Sequence, residues 1–403
     1  MPEQTMKILG ITAEYNPFHN GHLYHVQKAR ELAQADCAVA VMSGNFTQRG
    51  EPSIADKWQR ARRAVEVSDS GIDAVFELPF VFACNRAANF AAGGVDMLVR
   101  LGADFISFGC EAEDTALLLE AGRALYERQR ELEEKARENM QAGISYAKAY
   151  ETAVREALGE DIAAVIKSPN NILAVEYIRR IEFWKDSGRV VSALPVTRYG
   201  SGYNEIGRGY AGASEIRRLM KEGKSIEEYV PGGGNYEPVE SPEERLFDAL
   251  KLIIARSSAD ELAEIYGVGE GLENRIIKEI SGCESLEAFL SSLVSRRYTA
   301  SAVRRILIYI LTGLKGREAD MMLEQGPGYG RLLAAGAAGR EFIRNFSSED
   351  FDIITNVNKY MAGETDRDRM LLHMDIKAAD FYNLLMNRSS YDYSDRVIRP
   401  FIV

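Results

Sequence analysis

Cysteine, histidine and tryptophan are scarce in this 403-residue chain, which holds four, four and two of them. The cysteines, Cys37, Cys84, Cys110 and Cys283, lie too far apart for the paired spacing of a zinc site or a disulfide framework. They read as reduced thiols, mostly buried. No stretch approaches the ~20 uninterrupted apolar residues of a membrane span, and the N-terminus shows neither a basic leader nor a small-residue cleavage site. A soluble, cytoplasmic protein with no membrane partner is expected. Net positive charge is missing too. At −11 the chain should not coat nucleic acid indiscriminately, which needs a basic surface; a local basic patch is left open. No internal repeat is visible, and oligomeric state leaves no mark.

What is present is length and alternation. The chain exceeds the ~250 to 300 residues at which single cores stop growing, so two domains are expected. Residues 8–12, 37–42, 74–78 and 105–109 are short apolar runs separated by helix-periodic segments at about 21–34, 53–68 and 90–101, and another run returns at 190–194. Such alternation is the pattern of right-handed βαβ units and a parallel sheet covered on both faces. An α/β, doubly wound domain of about five strands is expected over residues 1–230, with a charged helical excursion at about 114–165. Residues 231–238 concentrate helix breakers and read as a boundary. Residues 240–403 read as a mainly α-helical second domain, helix-periodic over 244–361, with short extended pieces only at 352–355 and 398–403.

The first strand runs into Asn16-Pro17-Phe18-His19-Asn20-Gly21-His22. In open α/β sheets ligands bind beyond the carboxyl ends of the strands, where a helix N-terminus offers free N–H groups and partial positive charge to phosphate. His19 and His22, three residues apart, project onto one helix face. Gly21 lets a nucleotide lie close to the backbone. When a carboxylate attacks the α-phosphate of ATP, negative charge builds on the phosphoryl oxygens and on pyrophosphate, and imidazole N–H donors stabilise it. A His-x-x-His pair also serves as a metal half-site or as ordinary surface histidines. A metal site would want a third ligand, for which only Glu14 and the adjacent His25 are near in sequence. No metal site is assigned.

Further segments fall at the same sheet edge. Residues 43–50 follow the second strand with two glycines, Asn45, Gln48 and Arg49, fit for a ligand crevice or for a solvated loop. Lys57 reads as a phosphate ligand or an exposed helix lysine. Gly109 would let an adenine or ribose approach the backbone, or is a turn glycine. Asn170 and Asn171 precede an apolar helical run; capping accounts for one and leaves a spare amide. Arg198 and Tyr199 follow the fifth strand and could offer a guanidinium and backbone groups to a nucleotide, or lie at the surface.

Residues 10–22 resemble the H-x-G-H signature of the nucleotidyltransferase superfamily, shared with class I aminoacyl-tRNA synthetases. With the segments at 42–52, 76–79, 108–111, 167–173 and 213–217, in that order, the chain resembles the bacterial tRNA(Met) cytidine acetate ligase family, strongly over about the first 220 residues and more loosely beyond. The resemblance implies a Rossmann-like sheet, ATP-dependent formation of an acetyl-adenylate, and acetyl transfer to N4 of the wobble cytidine of elongator tRNA(Met). The implied nucleotide contacts are Thr12, Ala13, Glu14, Tyr15, Asn16, Pro17, Phe18, His19, Asn20, Gly21, His22, Leu23, Tyr24 and His25, with Gly109, Asn170, Arg198 and Tyr199. Ser214 and Arg217 resemble a Ser/Thr-x-x-Arg element, so His19, His22 and Arg217 are the expected catalytic groups, with ATP, Mg²⁺ and acetate as cofactor and partners.

Residues 295–317 carry Arg296, Arg297, Arg304, Arg305, Lys315 and Arg317 without one acidic residue, an anomaly in an acidic chain. Arg296, Arg297, Arg304 and Arg305 are the expected RNA contacts; a solvated helical face is the other reading. A small-molecule adenylyltransferase or carboxylate ligase with the same H-x-G-H centre would not need this patch, and remains the alternative.

Overall fold

The computed structural model describes residues 6–67, 71–112, 114–140, 146–167, 169–197, 209–233, 236, 242–362, 366–389 and 391–403. Five strands read from the sequence form parallel neighbours: β1 (Ile8–Ala13), β2 (Cys37–Ser43), β3 (Ala74–Leu78), β4 (Phe105–Cys110) and β5 (Ser192–Thr197). Their order is β5-β4-β1-β2-β3, so the winding reverses between β1 and β4. In sheets of this kind ligands sit beyond the carboxyl edge at such a switch point.

Two-sided burial explains why these strands read as continuous apolar runs. In β2, Cys37, Val39 and Val41 enter the large core on one face, while Ala38, Ala40 and Met42 enter a smaller core on the other. The period of two is the strand's own pleat. The excursion after β4 comprises the helices Thr115–Glu127, Gln129–Met140, Tyr146–Leu158 and Glu160–Val165, before the long helix Pro169–Asp186 returns to the sheet.

The later part differs from expectation in one respect. Helices dominate it, and the short pieces expected at 352–355 and 398–403 contain strands, but the sheet has eight strands rather than about five. The segment read as helix-periodic contains β6 (Tyr329–Ala335), fully buried and antiparallel to β3. β7 (Asp352–Ile354) and β8 (Phe401–Ile402) both pair with β6. The run Leu332-Leu333-Ala334-Ala335 is apolar at every position, which fits a buried helix as well as a strand covered on both faces. The breaker-rich segment at 231–238 lies partly outside the described residues.

A buried ion cluster joins β3 to β6. Lys57 Nζ lies 2.6 and 2.7 Å from the two Glu77 carboxylate oxygens and 2.6 Å from Asp395 Oδ2. Arg331 Nη1 donates to Asp395 Oδ2 at 2.6 Å and to Glu77 Oε2 at 3.3 Å. The sequence offers Lys57 as a phosphate ligand or a surface lysine; it is neither, with no measurable exposure. Two cations and two carboxylates balance. Burial opposes the charge on Asp395, but Arg331 and Lys57 outweigh it and hold the carboxyl below its ordinary range. Asp375 is a further buried carboxyl beside this balanced set. It accepts the Phe80 N–H (2.7 Å) and the Tyr329 hydroxyl (2.6 Å). Burial and the neighbouring Glu77 push it up to about 7.

Removing one partner from a buried pair strands the others' charge, at about 3–5 kcal/mol. Asp395→Asn is therefore expected to lower unfolding free energy by about that amount in urea titrations; a loss below about 1 kcal/mol contradicts the cluster's role. Asp375 has the opposite pH sign to an ordinary paired carboxylate. Its folded value is raised from 3.8 to about 7, so between these limits the folded state holds the proton the unfolded chain has released, and the group's contribution falls as pH rises. Relative to wild type, Asp375→Asn should be more stable at about pH 8 than at about pH 5; an equal difference at both removes this assignment.

Candidate active site

His19 is the N-cap of the helix Asn20–Ala33 rather than its first residue, and closes a reciprocal capping box. Its Nδ1 accepts the Gly21 N–H at 3.1 Å, while the His19 N–H donates to His22 Nδ1 at 3.3 Å. The Asn20 N–H donates to the Tyr229 carbonyl at 2.9 Å. The sequence predicts free N–H groups at this helix start; these are paired within the protein, two by the histidine rings acting as caps and that of Asn20 by the Tyr229 carbonyl. An accepting Nδ1 in a neutral imidazole leaves the proton on Nε2. Both histidines are thus held as Nε2–H donors, rings stacked at 3.8 Å. Tyr15 and Phe18 are buried behind them, with Tyr15 edge-on to His22 at 5.1 Å and Phe18 stacked on it at 5.9 Å. Their aromatic side chains support the His22 ring from the core side. Burial raises the Tyr15 hydroxyl's pKa.

Three anchors hold the loop between β1 and this helix. Asn16 accepts the Ile54 N–H at 2.9 Å through its side chain. Asn20 donates its amide to the carbonyls of Gly209 (2.6 Å) and Glu228 (2.9 Å). Arg217, on the helix Ala213–Lys221, donates Nη1 to the Asn16 carbonyl at 2.9 Å and Nη2 to Ser214 Oγ at 3.2 Å. Ile216 beside it is fully buried in a small cluster with Ala55, Ile226, Val230 and Tyr236, which fixes that helix against the loop after β2. A cation from the far end of the nucleotide-facing half is thereby brought to the H-x-G-H loop.

Sequence reasoning misses Arg60. Fully buried, it donates to the carbonyls of Ala55 (3.0 Å), Ser43 (3.1 Å), Gly44 and Glu14, tying the carboxyl ends of β1 and β2 together. Burial lowers its pKa, while Tyr382, Asp56 and Glu14 act the other way. The sequence hides it within the basic helix run Arg60-Ala61-Arg62-Arg63, which looks like a solvated face. The Glu14 carboxylate accepts the Gln48 N–H at 2.7 Å. Burial raises its pKa against the lowering pull of that hydrogen bond and of Arg60, Arg217 and Arg49. Three arginines thus lie near enough to Glu14 to act on its charge.

The remaining expected contacts divide. Thr12 and Ala13 end β1, with Thr12 over Gly94. Pro17 is buried in the loop, and Leu23 and Tyr24 pack on the smaller core. His25 Nε2 is 2.9 Å from Ser107 Oγ on β4, bridging the switch point. Gly109 lies on β4 opposite Val196 of β5. Asn171 accepts the Glu111 N–H at 3.1 Å, joining the helix Pro169–Asp186 to the end of β4. Asn170 is in the same first turn, but its side chain lies outside the description, as do Arg198 and Tyr199 entirely. In the basic segment, Arg296 and Arg297 are exposed, and Arg297 pairs with Glu270. Arg304 and Arg305 are half-buried against Glu51 and Gln48. Among the described residues, no group of three His, Cys, Asp or Glu side chains is placed to hold a metal ion, and no helix is long and apolar enough to cross a membrane.

The chain matches the HIGH Nucleotidyl Transferase family over residues 6–396. A Thermoanaerobacter sp. protein named tRNA(Met) cytidine acetate ligase is 37% identical over 402 residues, which cover 96% of this chain and 97% of the relative. One of the same name from Caldicellulosiruptor saccharolyticus is 37% identical over 389 residues, covering 94% of each. The crystal structure of Thermotoga maritima TmcAL bound with alpha-thio ATP superposes with a TM-score of 0.86 at 30% identity, over 99% of this chain and 100% of that one. With a family model that spans nearly the whole chain and relatives 37% identical over almost their full length, this chain belongs to the tRNA(Met) cytidine acetate ligase family of HIGH nucleotidyl transferases.

Proposed function

We propose that this chain activates acetate with ATP as an enzyme-bound acetyl-adenylate and passes the acetyl group to N4 of the wobble cytidine of elongator tRNA(Met), in the cytoplasm. The placement of Arg217 on the loop that carries His19 and His22 supports this most, because it gathers the donors an adenylation needs at the carboxyl edge of the sheet. An acetate oxygen attacks the α-phosphorus, the bond to the bridging oxygen breaks, and its electron pair leaves with pyrophosphate. His19 and His22 donate from Nε2 to the phosphoryl oxygens where charge accumulates, and Arg217 neutralises the leaving pyrophosphate. Mg²⁺ would be bound chiefly by the phosphates, as is common for this ion.

Residues 12–25, Gly109, Asn170, Arg198 and Tyr199 are the nucleotide contacts of this reading. In the second step the cytidine amine attacks the acetyl carbon, the bond to AMP breaks and the amine loses a proton. The RNA approaches over Arg296 and Arg297, with Arg304 and Arg305 at the inner margin. Such contacts weaken with salt.

The test incubates the chain with elongator tRNA(Met), ATP and isotopically labelled acetate. Mass spectrometry of the digested RNA should show one labelled acetyl group on the wobble cytidine. ATP–pyrophosphate exchange driven by another acid, with unlabelled RNA, overturns the reading. His22→Ala should lower acetate-dependent exchange by about 10²–10³-fold with an unchanged circular dichroism spectrum; retained exchange removes His22 from the chemistry.

A further inference from the structure

Arg304 and Arg305 sit in the helix Ala300–Thr312, in a segment whose charge suggests RNA, yet both reach the loop after β2, Arg305 while also bonded to Tyr309 of its own helix. Arg304 Nη1 is 3.4 Å from Glu51 Oε1, and Arg305 Nη1 is 3.4 Å from the Gln48 carbonyl. Both contacts are long, and the fixed element lies between them. Gly50, at φ 80°, rests backbone to backbone on the helix: a Cβ there would be 2.5 Å from the Arg305 nitrogen and 2.7 Å from the Arg304 carbonyl carbon. Only glycine satisfies both the dihedral and the distance.

The loop is stiff enough to transmit this seat. Thr47 N–H donates to the Glu51 carbonyl (2.9 Å), Gly50 N–H to the Thr47 carbonyl (3.0 Å), and Glu51 N–H to Thr47 Oγ1 (3.2 Å). Gln48, inside that turn, is gripped at both ends of its backbone. Its carbonyl faces Arg305, and its N–H meets Glu14 at 2.7 Å. Glu14 immediately precedes the loop leading to His19, and its own carbonyl is tied to Arg60. A continuous path of short-range contacts therefore runs from the helix of the later part of the chain to the H-x-G-H segment.

We propose that Arg305, acting through Gln48 and with the Gly50 seat, is a positioning residue for the adenylation step. It keeps the Gln48 N–H on Glu14 and holds the turn carrying Arg49 at the nucleotide crevice. This rests on the reading of that crevice as the place where ATP is activated. The four arginines thereby take different roles, with Arg305 serving the reaction before any RNA is present, while Arg296 and Arg297 face outward.

Acetate-dependent ATP–pyrophosphate exchange without tRNA tests this on the full chain. Arg305→Ala should raise KM for ATP about tenfold or more, with a smaller change in kcat, since a misplaced loop weakens nucleotide positioning. Arg305→Lys should recover most of the loss, because an ammonium group still donates to the Gln48 carbonyl. Gly50→Ala should shift KM in the same direction as Arg305→Ala. Wild-type exchange together with unchanged exchange in Arg305→Ala overturns the proposal alone, and leaves Arg305 as an RNA contact if tRNA acetylation falls. Equal falls in kcat across Arg305→Ala and Arg305→Lys with KM unmoved also overturn it. A wild-type chain without acetate-dependent exchange overturns the activation reading, and the proposal with it.

Discussion

The buried cluster of Lys57, Glu77, Arg331 and Asp395 is the constraint around which the rest of the molecule is arranged. Four charges without water are tolerable only when each is matched and hydrogen-bonded. Matching here requires residues from a helix start, a central strand, an added strand and the segment near the C-terminus to meet at one point. Neighbouring contacts follow from it. The Lys57 N–H donates to Asn45 Oδ1 (2.8 Å), which shapes the loop after β2. Asp56, just before it, caps the helix Lys57–Glu66 and pairs with Arg388 at 2.5 Å. The same helix carries Arg60, one turn on, to the carbonyls at the ends of β1 and β2. The geometry of the crevice is thus set partly from behind, by charges that never reach it.

At the crevice itself the protein uses caps as functional groups. A helix N-terminus ordinarily leaves donors for a ligand or a serine. Here imidazole nitrogens fill that place, so the positive end of the helix acts through side chains whose donor nitrogens are fixed by what their other nitrogens accept. Arg217 approaches from the side on a helix held by Ile216. Glu14 lies among Arg60, Arg217 and Arg49, and its carboxylate keeps the neighbouring turn in register through the Gln48 N–H.

Much of this is legible in the residues. The first five strands can be read because both their faces are buried, and the H-x-G-H segment because its residue types and position suit phosphate chemistry. The sixth strand cannot, since an unbroken apolar run such as Leu332-Leu333-Ala334-Ala335 carries no period to separate strand from helix. The interior ions escape for another reason: Lys57 stands in the polar helix start Lys57-Trp58-Gln59-Arg60, where nothing local distinguishes a buried cation from a solvated one. A signal does exist. Glu77 in Phe76-Glu77-Leu78 and Arg331 in Gly330-Arg331-Leu332 are lone charges inside apolar strands, and each demands an opposite charge within the fold. The partners come from distant segments, so pairing them needs the topology. Asn171 illustrates the same limit: its neighbour Asn170 looks like the better ligand, while the amide that joins helix to β4 can be known only from the sheet.

The late strands also bear on what can be separated. β6 covers the outer edge of β3 along Ala74–Leu78 and supplies Arg331 to Glu77. A chain ended near residue 240 would keep every H-x-G-H residue and still expose an apolar strand edge, with the Lys57–Glu77 pair stripped of its Arg331 and Asp395 partners. Such an edge recruits other copies of itself. The nucleotide-facing half and the helical half are divisible in sequence pattern, but the later residues close the sheet along β3 and complete the ion cluster at Glu77.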